Sequence, residues 1–221
     1  MRQILTATNN KISGIHYTTN RTGKMQGLQS LSTSCLVNPI CIKRMKNGDS
    51  ICAHCYSASQ HRRYKNMLPV LAENYRILNE RLLSIGEIPV ITVRYFRFES
   101  FGDVGTGIQA ANYILIAAAN PDIQFALWTK NLKIVEDGIK LLGGLRPDNL
   151  YIVYSSPLLN TPAKHIADRY NFIDSIFTVY DKTAAANVDI NCGARSCATC
   201  GRCYRRREHG NGVEFINELL K

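Results

Sequence analysis

VITVRYFRFESFGDVGTGIQAANYILIAAANPDIQFALWTKNLKIVEDGIKLL, residues 90–142, reads as two passes of one repeating unit, and that unit decides the fold. VITVRYFRF at 90–98 is rich in β-branched and aromatic residues and predicts a strand, followed by the turn-rich ESFGDVGTG and an alanine-rich helix over 108–119. IQFALW at 123–128 predicts the next strand. NLKIVEDGIKLL at 131–142 predicts the next helix, with Leu132, Val135, Ile139 and Leu142 on one face. LYIVYSS at 150–156 and IFTVYD at 176–181 continue the cycle around a helical segment near 161–170. Strands alternating with helices imply a parallel sheet. Four such strands, with a short first one near Leu28 and Leu31, predict an α/β partial (β/α) barrel, because a complete eight-stranded barrel takes about 250 residues.

Upstream, Tyr64, Leu68, Leu71, Tyr75, Leu78 and Leu82 alternate steps of four and three, which lines one face of a helix. Pro69 interrupts the pattern, so a short helix should end near Asn66 and a longer one should carry Pro69 in its first turn. Residues 1–24 are polar, lack periodicity and read as an arm. The chain is then one domain, 1–221: the arm, the partial barrel over 25–185, and a cysteine-rich tail over 186–221 that closes on VEFINELL, read as a terminal helix. No apolar run is long enough to span a bilayer and the N-terminus lacks a secretory pattern, so a reducing cytoplasm is expected, and disulfides are not.

The eight cysteines fall into two groups of four. Cys35, Cys41, Cys52 and Cys55 lie in CLVNPICIKRMKNGDSICAHC, where the final C-x2-C spacing lets one turn aim two sulfurs at a single centre. Cys192, Cys197, Cys200 and Cys203 form C-x4-C-x2-C-x2-C in the tail. Thiolates in fours suit zinc or an iron–sulfur cluster, not magnesium or calcium. The spacing leaves both open: one [4Fe-4S] cluster or two, or four-thiolate zinc sites. His54 and His61 offer a nitrogen ligand as a further option.

In α/β folds the working residues gather where strands end. Those ends are polar here: Arg97 and Glu99 before Gly102-Asp103, then Thr129-Lys130, Ser155-Ser156 and Tyr180-Asp181, while the first cysteine group follows the first strand and so belongs to the same rim. Lys and Arg outnumber Asp and Glu by 27 to 17, and the excess sits beside the cysteines in KRMK, HRRYK and RCYRRR. Lys43, Arg44, Arg62, Arg63, Arg205 and Arg206 are therefore candidate contacts to nucleic acid, against the plainer reading of a solvated surface that balances anionic thiolate sites.

The succession SCLVNPIC, ICAHCYSAS, VRYFRFESFGDV, FALWTKN and CATCGRCY, spanning Ser34 to Tyr204, resembles the phage-encoded gene product 88 family. That family's layout in turn resembles a compact radical S-adenosylmethionine enzyme. The resemblance implies a host-cytoplasmic iron–sulfur protein in which Cys41, Cys52 and Cys55 hold a [4Fe-4S] cluster. It also implies that Gly102 and Asp103, with Glu99 and Tyr56 nearby, lie where S-adenosylmethionine binds; the substrate stays unassigned. Two features depart from the radical pattern: C-x3-C-x2-C is absent, and Cys35 supplies a fourth thiolate. Cys41, stiffened by Pro39, is expected to be essential to the cluster and Cys35 less so.

Overall fold

Seven strands form one sheet in chain order, β1 Tyr17–Thr19, β2 Gln29–Leu31, β3 Tyr95–Phe98, β4 Gln124–Thr129, β5 Leu150–Ser155, β6 Ser175–Tyr180 and β7 Glu214–Leu219. β1 runs antiparallel to β2, and every later pair is parallel. The computed structural model describes residues 14–20, 22–206 and 212–220. β7 does not pair with β1, so the barrel stays open, as the strand count and the length of the chain imply.

The helices are α1 Pro39–Met45, α2 Tyr56–Arg63, α3 Met67–Glu80, α4 Gly107–Ala119, α5 Leu132–Leu141, α6 Ile166–Arg169, α7 Lys182–Ala185 and α8 Cys197–Cys200. Strand residues alternate between two cores. Phe96, Phe98, Phe125, Leu127, Leu150, Ile152 and Ile176 pack with Tyr113 and Ile114 of α4 and Val135 of α5. The opposite face, carrying Tyr95, Ala126, Trp128 and Tyr151, is covered by Cys197, Cys203 and Tyr204 of the tail. The two large helices lie close because glycine permits it: a Cβ on Gly138 would stand 2.6 Å from Ala110 Cβ and 2.8 Å from Ala111 N. Among the described residues no helix is long and apolar enough to cross a membrane.

The break at Pro69 is as expected, with α2 ending at Arg63 and α3 starting at Met67. Three expectations need correction. The segment 90–98 joins the ladder only at Tyr95–Phe98, because Asn120 takes over the backbone before it, Oδ1 accepting from Ile91 N at 2.9 Å and Nδ2 donating to Pro89 O at 3.0 Å. VEFINELL is not a terminal helix but β7, paired along its whole length with β6. Val213 and Phe215 enter the helix-side core while Ile216 enters the other, and a short apolar run buried on both faces carries no period that separates strand from helix. The N-terminal arm contains β1 at Tyr17–Thr19, and residues 1–13 of the arm lie outside the described residues.

Candidate metal centre

At the carboxyl end of β2 the chain is clamped residue by residue. Ser32 Oγ accepts from Ser100 N at 3.0 Å, Thr33 donates to Glu99 through N at 3.1 Å and Oγ1 at 2.9 Å, and Ser34 Oγ meets His61 Nε2 at 3.2 Å. Cys35 follows, 2% exposed. Asn38 caps α1, accepting from Ile40 N at 3.0 Å, with Pro39 at the helix start, and its amide donates to Asp103 O at 2.7 Å. This fixes α1, and with it Cys41, against the turn after β3.

The loop then crosses the rim. Ile51 N donates to Pro157 O at 2.9 Å and Ser50 Oγ to the same carbonyl at 3.2 Å, so the segment bearing Cys52 docks beyond the end of β5. Ser50 also caps the 3-10 turn Ile51–His54, accepting from Cys52 N at 3.2 Å. Cys55 closes that turn and opens α2. The first residues of α2 grip the turn after β3: the Tyr56 hydroxyl donates to Ser100 O and the Ser57 hydroxyl to Phe101 O. Gly102 is needed in that turn, since a Cβ there would lie 2.5 Å from Thr33 O and 2.7 Å from Glu99 Oε2.

The four thiols of this group act on one another. Cys35 and Cys55 share a hydrogen bond that holds the Cys55 thiol down at about 6, helped by the backbone N–H groups of Ala58 and Ser57 and by the charge of Lys130. The same bond, with burial, pushes the Cys35 thiol far up, and Cys41 also bears on it. Burial pushes Cys41 up too, reinforced by Asp103, Glu99, Cys52 and Cys55. Cys55 is thus the thiolate of the pair. In metal-free protein its alkylation by iodoacetamide is expected to rise with pH around a midpoint of about 6. A midpoint near the ordinary thiol value of about 8.5 would contradict this arrangement.

Glu99 and Asp103 are committed within the protein. Asp103, 4% exposed, accepts from Thr129 Oγ1 at 2.6 Å, Val104 N at 2.8 Å, Lys130 N at 3.0 Å and Arg44 at 3.2 Å. Glu99 sits at a left-handed φ of 59° and accepts from Tyr113 Oη at 2.5 Å and Gln109 Nε2 at 2.6 Å besides Thr33. Burial nevertheless prevails over the Tyr113 and Thr33 hydrogen bonds and lifts Glu99 to about 7. A carboxyl raised on folding contributes stability that is complete below its unfolded value, near 4.3, and is lost as pH rises through the folded value. The linkage amounts to about 4 kcal/mol between those limits. Urea midpoints at about pH 5 and about pH 8 should therefore converge in Glu99→Gln relative to the parent, and an unchanged gap would contradict the assignment.

The second cysteine group lies on the sheet face away from the helices. Lys24 Nζ donates to Cys192 Sγ at 3.1 Å, Cys192 O at 3.0 Å and Glu218 at 3.3 Å, and Cys197 N donates to Lys24 O at 2.8 Å. Cys203 is pushed up to about 12 by burial, relieved by Arg97 and reinforced by Cys192, Cys197 and Cys200, so these thiols also converge. Arg97 stacks 4.0 Å over Trp128, and Tyr204 packs on Tyr95 with ring centroids 4.5 Å apart. Lys24 and Arg97 are site residues whose roles were not foreseen. Lys24 is too far away in sequence to signal its partner, whereas the two-residue alternation of β3 places Arg97 on the tail-side face.

Tyr56 is 58% exposed as a residue, but local burial of its hydroxyl raises it, eased by Arg97 and reinforced by Cys55, Cys35 and Glu218. Among the described residues no three His, Cys, Asp or Glu side chains are gathered as tightly as a single metal ion requires. A cluster spreads its thiolates over separate corners and does not need that closeness. His54 is exposed, and His61 is buried with its pKa lowered by burial.

The basic candidates do not act alike. Lys43, Arg62 and Arg63 are exposed, but Arg44 is engaged by Asp103, Arg205 lies 3.8 Å from Glu214, and Arg206 donates to Pro147 O at 2.9 Å.

A family model described as Gene product 88 matches residues 3–211, covering both cysteine groups and the strands between them. The chain belongs to the Gene product 88 family. No curated protein and no solved structure matches this family member.

Proposed function

We propose that the protein is an iron–sulfur protein whose first cluster is held by Cys41, Cys52 and Cys55 at the mouth of the open barrel, in a radical S-adenosylmethionine-like enzyme. The observation that carries this reading is the convergence of four mutually interacting thiols on a loop pinned across the carboxyl ends of parallel strands. A bound cluster supplies one-electron chemistry, and S-adenosylmethionine on an iron free of protein ligands adds radical initiation.

The chain's own residues have separable tasks. Asn38 and Asp103 fix α1 and Cys41, Ser50 fixes Cys52, and the start of α2 favours the Cys55 thiolate. Gly102 lets the turn after β3 approach β2 closely, while Asp103 and Glu99 hold it in place. Tyr56 ties the start of α2 to the turn after β3 through its hydroxyl. The tail group, flanked by Lys24 and Arg97, is suited to a second cluster, because cations beside anionic thiolate sites stabilise the reduced, more negative state.

Anaerobically purified protein is expected to be brown, to absorb broadly near ~400 nm, and to contain iron and acid-labile sulfide. The competing reading is a zinc-stabilised nucleic-acid-binding module, favoured by the exposed Lys43, Arg62 and Arg63. Colourless protein with stoichiometric zinc, and nucleic-acid affinity that falls steeply with salt, would replace the first reading by the second.

A further inference from the structure

A cavity of about 260 Å³ opens on the outer side of the rim, between the start of α5 and α6, and no acidic residue lines it. Four cations do: Arg44, Lys130, Lys133 and Arg169. Arg44 is balanced by Asp103, and Lys133 by Glu136 and Asp137. The side chains of Lys130 and Arg169 have no carboxylate partner among the described residues; Lys130 Nζ donates to Ser155 Oγ at 3.1 Å, and Arg169 stacks on Tyr170 at 5.2 Å.

Two buried tyrosines complete the wall. Tyr154 and Tyr170 are 7% and 8% exposed, and both line the cavity. The start of α5 also lines the cavity: its N-cap residue Asn131 makes no side-chain cap and donates its amide to Val104 O, while Asn131 O accepts from Ile134 N and Val135 N.

We propose that this cavity binds the phosphate group of a small phosphate monoester, of sugar-phosphate size. Lys130 and Arg169, whose side chains pair with no carboxylate among the described residues, match a dianion, and the guanidinium fork, ammonium and phenols match its three terminal oxygens. The volume lies just below the usual range for small-molecule pockets, about 300 Å³ and upward, so it takes a phosphate and a sugar without a base. Arg44 stands on α1, the helix that carries Cys41, and Lys130 acts on Cys55. An occupant is therefore anchored beside the first cysteine group. The binding proposal itself does not rest on which metal that group holds.

The test is calorimetric titration of the full chain at fixed ionic strength with ribose 5-phosphate, ribose, inorganic phosphate, and a short single-stranded oligonucleotide lacking terminal phosphates. Saturable binding of ribose 5-phosphate but not ribose is expected, weakened at least about tenfold in both Lys130→Gln and Arg169→Gln and unchanged in Lys182→Gln, whose side chain lies elsewhere on the surface. Inorganic phosphate should compete at the same site, and binding of inorganic phosphate alone would overturn the sugar-phosphate assignment. Arg169 is exposed, so its variant should fold normally and decides the matter even if the Lys130 variant does not. The proposal is overturned if the wild type shows no saturable binding, if Arg169→Gln binds as the wild type does, if Lys182→Gln loses affinity equally, or if the oligonucleotide binds and ribose 5-phosphate does not.

Discussion

Cys52→Ala is expected to remove the iron of the first cysteine group and leave only metal held by the tail. Cys52 and Cys55 are the C-x2-C pair that one short turn presents together, and losing either leaves too few thiolates on that turn to retain a cluster. Iron and sulfide analysis of the anaerobic variant, with the tail group as internal reference, measures the loss. Because Cys52 sits on a turn whose backbone is held by Ser50 and Pro157, neither of which depends on the thiol, the fold should survive the substitution. Metal content equal to that of the wild type would show that Cys52 is not a ligand.

Asp103→Ala is expected to destabilise the protein by about 3–5 kcal/mol, the usual cost of removing one partner from a buried ion pair. The carboxylate joins three elements at the rim: Arg44 from α1, Val104 from the turn after β3, and Thr129 and Lys130 from the end of β4. Its loss strands the Arg44 guanidinium, itself only 24% exposed, and leaves the Thr129 hydroxyl and Lys130 N–H without their acceptor. Asp103→Asn, which keeps an acceptor oxygen but not the charge, should recover part of the deficit. Denaturant midpoints of both variants measure this, and a shift within about 0.5 kcal/mol for Asp103→Ala would show that the network is not structural.

The strand–helix alternation was readable because β4 and β5 are long and flanked by well-marked helices. What escaped was set by partners distant in the chain. The segment 214–219 has no helical or strand period of its own and becomes a strand because β6 offers it a free edge. Tyr17–Thr19 is too short to signal itself and pairs only with the equally short β2. At the site, grouped cysteines are visible in a sequence because residue type and spacing survive without geometry. The roles of Asp103 and Glu99 are not: a Gly-Asp pair reads as a turn, and only the folded chain shows each carboxylate filled by donors from neighbouring elements. The rim cavity was hidden for the same reason, since Arg44, Lys130, Tyr154 and Arg169 come from four separate segments.

Cys35 decides whether the proposed cluster of the first cysteine group has one iron open to S-adenosylmethionine. The Cys35 thiol lies against Cys55 and 3.4 Å from Ser57 Oγ, a placement that suits either a hydrogen bond to the ligand thiolate or a fourth ligand. The most direct measurement is the electron paramagnetic resonance spectrum of the reduced, anaerobic protein and of its Cys35→Ala variant, each with and without S-adenosylmethionine. Cys35→Ala is expected to keep its cluster, and S-adenosylmethionine to change the spectrum of both proteins. A cluster lost from Cys35→Ala as completely as from Cys52→Ala, with a wild-type spectrum indifferent to S-adenosylmethionine, would contradict it and leave a closed cluster suited to electron transfer or structure.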